Sequence, residues 1–122
     1  MYSIDDKDYP CSTSVTMRFI GGKWKAAIIK YLAEKKRYSE LRKDLVNITE
    51  RTLSLQLKEL EADGIVIRTV YTSKPPLRVE YELSDFGRTL LPLIQTISDF
   101  GKEIIKNNDK VHVVSPPPCS LE

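Results

Sequence analysis

The stretch YSELRKDLVNITERTLSLQLKELEADGIVIRTVYTSKPPLRVEYEL, residues 38–83, decides how this chain folds. Ser39 can cap a helix of about two turns, with Leu41 and Leu45 one turn apart behind it. Val46-Asn47-Ile48 is a short link, and Thr49 heads a longer helix that carries Leu53, Leu57 and Leu60. At 100° per residue, Leu57 falls about 40° and Leu60 about −20° from Leu53, so the three leucines share one narrow stripe. Arg51, Ser54, Leu55 and Lys58 fall on the opposite side, with Thr52 and Gln56 flanking. Asp63-Gly64 is a left-handed stop.

Two β-type runs follow. Residues 65–71 are rich in β-branched side chains, and residues 78–83 alternate as a pairing strand should. Between them, residues 72–77 hold two prolines and Lys74, which is turn chemistry with a basic tip. Two helices joined by a tight link, then a hairpin, make a winged helix-turn-helix. The fold class is α+β, mainly α.

Outside this centre, Ser12-Thr13-Ser14 offers caps for a first helix over residues 13–19, which Gly21-Gly22 ends. A second helix is expected over residues 23–33, with Trp24, Ile28, Tyr31 and Leu32 at helical spacing. Lys35-Lys36-Arg37 would close it with positive charge, which suits a helix C-terminus. Ser84 caps a last helix that continues through Leu90, Leu93, Ile97, Phe100 and Ile104 to about residue 107. Pro92 should kink or break it. Residues 1–110 read as one domain, and the proline-rich residues 111–122 as a disordered tail.

Charge is distributed unevenly. Residues 18–78 hold 14 Lys/Arg against 7 Asp/Glu, whereas both flanks are net acidic and the whole chain is only +2. A basic centre between acidic ends suits a phosphate-binding surface on a scaffold with other duties. No apolar run approaches the roughly 18 residues of a membrane span, and Met1 opens no signal-peptide pattern. A cytoplasmic protein is expected, with no membrane partner.

In a helix-turn-helix the second helix enters the major groove, its N-terminal part facing the base edges. That part offers Thr49, Glu50, Arg51, Thr52, Ser54, Leu55 and Gln56. Arginine can bond guanine bidentately, glutamine can do so with adenine, and methyl groups can meet a thymine methyl. Lys58, one turn on, suits a phosphate. Lys74 and Arg78 flank the wing tip, where a basic side chain can reach backbone or minor groove. Ser39 and Arg42 are further phosphate candidates, as are Lys23 and Lys25. An exposed Arg or Gln is, taken alone, as readily a solvated surface residue. A winged helix used only for protein–protein contact is the alternative.

Catalysis finds little support. His112 is the only histidine and lies in the tail. Cys11, His112 and Cys119 lack metal-site spacing, and Gly21-Gly22 lacks the spacing of a phosphate loop. Neither a cofactor nor a metal is expected. Cys11 precedes the first helix, where amide N–H groups and the positive dipole end can stabilise a thiolate and make it a sensor. A small interface or core residue would occupy the same place equally well.

Taken together, several spaced motifs closely resemble the HxlR-type winged-helix transcriptional regulators, which are related to the MarR type. They are Cys11; Ile20-Gly21-Gly22-Lys23-Trp24; Tyr38-Ser39-Glu40-Leu41; the run from Leu53 through Gly64 to Arg68; and Pro75-Pro76-Leu77-Arg78-Val79-Glu80-Tyr81 with Leu83 and Gly87. The resemblance spans about residues 10–101. It implies a homodimer on double-stranded operator DNA, with the first and last helices as the dimer interface. It also implies that a cysteine at the place of Cys11 can respond to oxidants or electrophiles. The apolar surplus of residues 90–104 independently suggests a partner surface.

Overall fold

Thr49 starts the central helix as expected: its Oγ1 accepts the Thr52 N–H at 3.1 Å, satisfying one of the free amides of the first turn. A computed structural model describes residues 1–72 and 74–114 of the chain. Its elements run β1 (Tyr2–Ile4), β2 (Lys7–Tyr9), α1 (Ser12–Ile20), α2 (Lys25–Tyr31), β3 (Lys36–Arg37), α3 (Tyr38–Asp44), α4 (Glu50–Ala62), β4 (Val66–Val70), β5 (Val79–Leu83), α5 (Asp85–Thr89) and α6 (Leu91–Asn107).

α4 buries the predicted stripe. Leu53 and Leu60 have no exposure and Leu57 only 2%. Each such side chain withdraws enough apolar area to contribute about 2 kcal/mol. They pack with Ile28, Ile29 and Leu32 of the α2 region, Leu41 and Leu45 around α3, and Tyr81 and Leu83 of β5. The end of α4 is equally well defined. Gly64 takes φ +75°, its N–H reaches the Glu61 carbonyl at 3.1 Å, and the Ile65 N–H reaches that of Leu60 at 2.9 Å. This is a Schellman motif, and its apolar partners Ile65 and Leu60 are both fully buried. Between α3 and α4, Asn47 supplies the left-handed turn residue at φ +70°.

The wing is the antiparallel pair β4–β5, in register from Val66↔Leu83 to Val70↔Val79. Thr72 closes its tip by accepting the Arg78 N–H at Oγ1, 3.2 Å away. Ser84 caps α5 through the Gly87 N–H at 3.0 Å, and the break before Pro92 falls at Leu90, between α5 and α6.

Several local expectations need correction. Ser39 is not the cap of α3. The helix begins two residues earlier, at Tyr38, Arg37 takes the cap position, and the Glu40 carboxylate accepts the Arg37 N–H at 2.9 Å. α1 is likewise not capped by a hydroxyl of Ser12, Thr13 or Ser14, because Cys11 stands at its N-cap with extended backbone. α2 is shorter than residues 23–33 at both ends. Lys36 and Arg37 do not close it but form β3, paired Lys36↔Tyr81 and Arg37↔Glu80, so the sheet has three strands in the order β3-β5-β4. The β1–β2 hairpin was not expected at all. Its two-residue turn is Asp5-Asp6, both at positive φ. The predicted tail, residues 111–122, lies outside the described residues from 115 onward. Residues 111–114 are described and have no helix or strand.

Candidate nucleic-acid interface

The α4 stripe that enters the core fixes what the opposite face must present. Arg51, Ser54, Leu55 and Lys58 are exposed, with Thr52 and Gln56 half-buried at the edges. Leu55 is 53% exposed, an apolar side chain left outside a core that had room for three other leucines of the same helix. Thr49 and Glu50 are exposed at the leading end.

The remaining candidates gather around that end. Ser39 and Arg42 lie on α3, and with Tyr38, Lys43 and Glu50 they line one shallow hollow. Ser39 and Tyr38 also border a neighbouring groove with Arg37, Pro76, Leu77, Arg78 and Val79, which carries the surface onto the wing. Lys74 is exposed at the wing tip. The structure therefore brings Ser39, Arg42, Glu50 and Arg78 onto a continuous surface with the start of α4. Lys58 faces a separate hollow, with Ser54, Leu57, Glu61, Arg68 and Tyr81.

Charge pairing redraws the basic centre. Lys35 bonds Glu82 at 3.0 Å, Lys25 bonds Glu59 at 3.0 Å, and Lys36 pairs with Asp44. The Lys35 ammonium is held above its usual pKa, chiefly by its hydrogen bonds to Glu82 and then to Tyr71. Arg18 bonds Asp63 and Asp5. These cations support the fold, and Lys25 is a poor phosphate candidate for that reason. Arg42 meets Glu50 at 2.8 Å, and Arg78 meets Glu80 at 3.0 Å while stacking on the Tyr71 ring. The Arg42–Glu50 pair is exposed on both sides, and Arg42 has further N–H donors that a phosphate can meet, whereas Glu80 is only 13% exposed, so that only the Arg78 side of its pair faces solvent. Arg51, Lys58 and Lys74 have no ion-pair partner among the described residues.

Sequence reading missed Tyr38. Its hydroxyl donates to the Glu50 carbonyl at 3.2 Å and lies 3.2 Å from Ser54 Oγ, tying the start of α3 to the first turn of α4. Arg37, Lys43 and Arg68 were missed as well. They are exposed cations bordering the same hollows, and only a three-dimensional placement could select them from other surface bases.

Cys11 sits apart from this surface. It is exposed, at the N-cap of α1, with Sγ 3.5 Å from Ser14 Oγ. Its pKa is lowered, first by the Ser14 hydroxyl and then by the Ser14 N–H. α6, which packs against α2 and α5, leaves Leu93, Ile97, Phe100 and Ile104 exposed, spaced as one helical stripe. No helix among the described residues is long and apolar enough to cross a membrane, and no His/Cys/Asp/Glu group there could hold a metal.

Known proteins share this architecture. The HTH-type transcriptional regulator YdeP of Bacillus subtilis strain 168 is 46% identical over 111 residues, which is 90% of this chain and 85% of that protein. The solved structure of the redox regulator HypR in its reduced form matches with a TM-score of 0.76 and 41% identity, over 83% of this chain and 100% of that one. Its oxidized form matches with a TM-score of 0.71 and 46% identity, over 76% and 96%. Residues 19–109 match the family described as HxlR-like helix-turn-helix. With its buried leucine stripe, Gly64 stop and β4–β5 wing in the places that architecture requires, the chain belongs to the HxlR-like helix-turn-helix family of transcriptional regulators.

Proposed function

We propose that two copies of this chain bind double-stranded operator DNA in the cytoplasm, with α4 in the major groove and the wing beside it. The observation that carries this reading is the two-sidedness of α4. Its leucines are sealed in the core, while Arg51, Ser54 and Leu55 stand in solvent at the end that leads into a groove. Arg51 can bond a guanine, Leu55 and Thr52 can meet thymine methyls, and Gln56 can reach adenine. Lys58, Ser39, Arg42, Lys74 and Arg78 serve phosphates and fix the register. Nothing in this role calls for catalysis.

Dimerisation is supported by the exposed α6 stripe, an apolar face that a lone protomer leaves in water. Cys11 adds a chemical input. An exposed thiol with a lowered pKa at a helix N-terminus is suited to oxidants and electrophiles, and the similar protein HypR is a redox regulator.

The test is a gel shift on the gene's own upstream region across a salt series. Specific binding should weaken by orders of magnitude between about 50 and 200 mM salt, through counterion release. A flat or absent response would instead favour a module for protein contact alone. Treatment with diamide should then alter the affinity of the wild type, and an identical response from Cys11→Ser would end the sensing role.

A further inference from the structure

The reading helix begins with an anion. Glu50 is the first residue of α4, and its side chain is 70% exposed at a hollow otherwise lined by Tyr38, Ser39, Arg42 and Lys43. A carboxylate there suits the positive end of the α4 dipole but repels every approaching phosphate, so on a DNA-facing helix its favourable partner is a base donor rather than the backbone.

Glu50 is also held at both ends. Arg42 Nη1 donates to its Oε1 at 2.8 Å from the neighbouring helix, and the Tyr38 hydroxyl donates to its backbone carbonyl at 3.2 Å. Oε2 meets no donor among the described residues. An exposed ion pair adds little stability, so what this one supplies is direction. A carboxylate can only accept hydrogen bonds. In the major groove, cytosine N4 and adenine N6 donate, whereas guanine O6 and N7 and thymine O4 accept and would be repelled. Adenine places its N7 acceptor beside N6, close to the second carboxylate oxygen. Cytosine has only a C–H beside its amino group.

We propose that Glu50, oriented by Arg42 and Tyr38, is a specificity-determining residue that selects cytosine at one position of each half-site. The inference rests on the DNA-binding reading above. In this arrangement Arg42 is a positioning residue: it neutralises the carboxylate against the phosphates and aims it at the base.

The test is selection of bound duplexes from a randomised double-stranded DNA pool by the full-length wild type, Glu50→Gln, Glu50→Ala and Arg42→Ala. The wild type should enrich a symmetric motif with one cytosine preference per half-site that both Glu50 variants lose, by about tenfold in discrimination. Preferences at the other positions should persist, and affinity for unselected duplex should rise. Arg42→Ala should blur the same position, a change in base preference that lost phosphate contact alone would not cause. If Glu50→Gln enriches the same bases to the same degree, the inference is overturned while the DNA-binding reading stands. If the wild type enriches nothing, the DNA-binding reading itself fails and this inference with it.

Discussion

Arg18 and Asp63 meet through two parallel hydrogen bonds, Nη1 to Oδ2 at 2.8 Å and Nη2 to Oδ1 at 3.3 Å. The pair joins α1 to the C-cap of α4, and Nη2 also reaches Asp5 in the β1–β2 turn. One guanidinium thus fastens the N-terminal hairpin and α1, whose N-cap is Cys11, to the C-terminal end of α4. Both side chains of the main pair are largely sheltered, which limits screening and makes the fork geometry count. Arg18→Ala should cost about 1.5 kcal/mol, measured as a lower urea midpoint with an unchanged slope. Arg18→Lys should recover only part, because an ammonium cannot form the fork. An unchanged midpoint for both would show that the pair contributes nothing.

Two glycines should respond very differently to alanine. At Gly87 an added Cβ would stand 2.3 Å from the Ile65 carbonyl oxygen, a backbone atom that is itself bonded by the Ser84 N–H. Gly87→Ala should therefore cost about 3 kcal/mol or more, because α5 must move off the Ile65 backbone that leads into β4. Gly64 has open space around it but φ +75°, so Gly64→Ala should cost only about 1 kcal/mol. Thermal melts of the two variants that fall in the reverse order would contradict this packing.

Cys11 should react as a partly activated thiol. Because its folded pKa is lowered, the thiolate population rises with pH through a midpoint below that of an unperturbed thiol. In a Cys119→Ser background, the rate of alkylation by iodoacetamide should trace that midpoint. The Ser14 hydroxyl is the largest cause of the shift, so Ser14→Ala should move the midpoint upward and slow the reaction at neutral pH. By linkage the lowered pKa favours the fold only above the unfolded thiol's pKa, and that benefit is lost as pH falls through the folded value. Superimposable rate profiles for the two proteins would remove Ser14 from the account.

On DNA, Arg51 and Lys74 should separate cleanly. Arg51→Ala should lower operator affinity about tenfold and relax one base preference, as expected for a base reader. Lys74→Ala should weaken all sequences alike and reduce the salt slope by about one. Equal losses on operator and unrelated DNA for Arg51→Ala would reassign it to the phosphates.

The exposed stripe on α6 makes a prediction about assembly. Phe100 is the most exposed of its apolar residues, at 67%, so a charge there should meet only solvent in a monomer but be buried in a dimer. Phe100→Glu should sediment as a monomer with unchanged helical circular dichroism. A variant that sediments like the wild type would place any dimer contact elsewhere.

Much of this was legible in the chain because it depends on near neighbours. The spacing of Leu53, Leu57 and Leu60, the Thr49 cap and the Gly64 stop are all set within a turn or two of helix, and the same stripe says which side chains must face outward. The β1–β2 hairpin lay below notice because strands of three residues carry too little alternation, although Asp5-Asp6 between Ile4 and Lys7 is a turn signal. Misplacing the starts of α1 and α3 had another cause. Hydroxyl caps were preferred on propensity, whereas the backbone at Cys11 and Arg37 took the cap geometry.

What the sequence by itself determined is the helix, stop and hairpin order, and with it the face that α4 presents. Tertiary structure alone decided which cations are spent on the fold and which remain for a ligand. Lys36 turns to Asp44, Lys35 to Glu82 and Arg18 to Asp63, while Arg51 and Lys74 stay unpaired among the described residues. It also placed Tyr38 against Glu50 and Ser54, across a turn that no local pattern crosses. The physical reason is range: backbone propensity and apolar periodicity act over a few residues, but a charge chooses its partner by distance in space, and that distance exists only once the chain has packed.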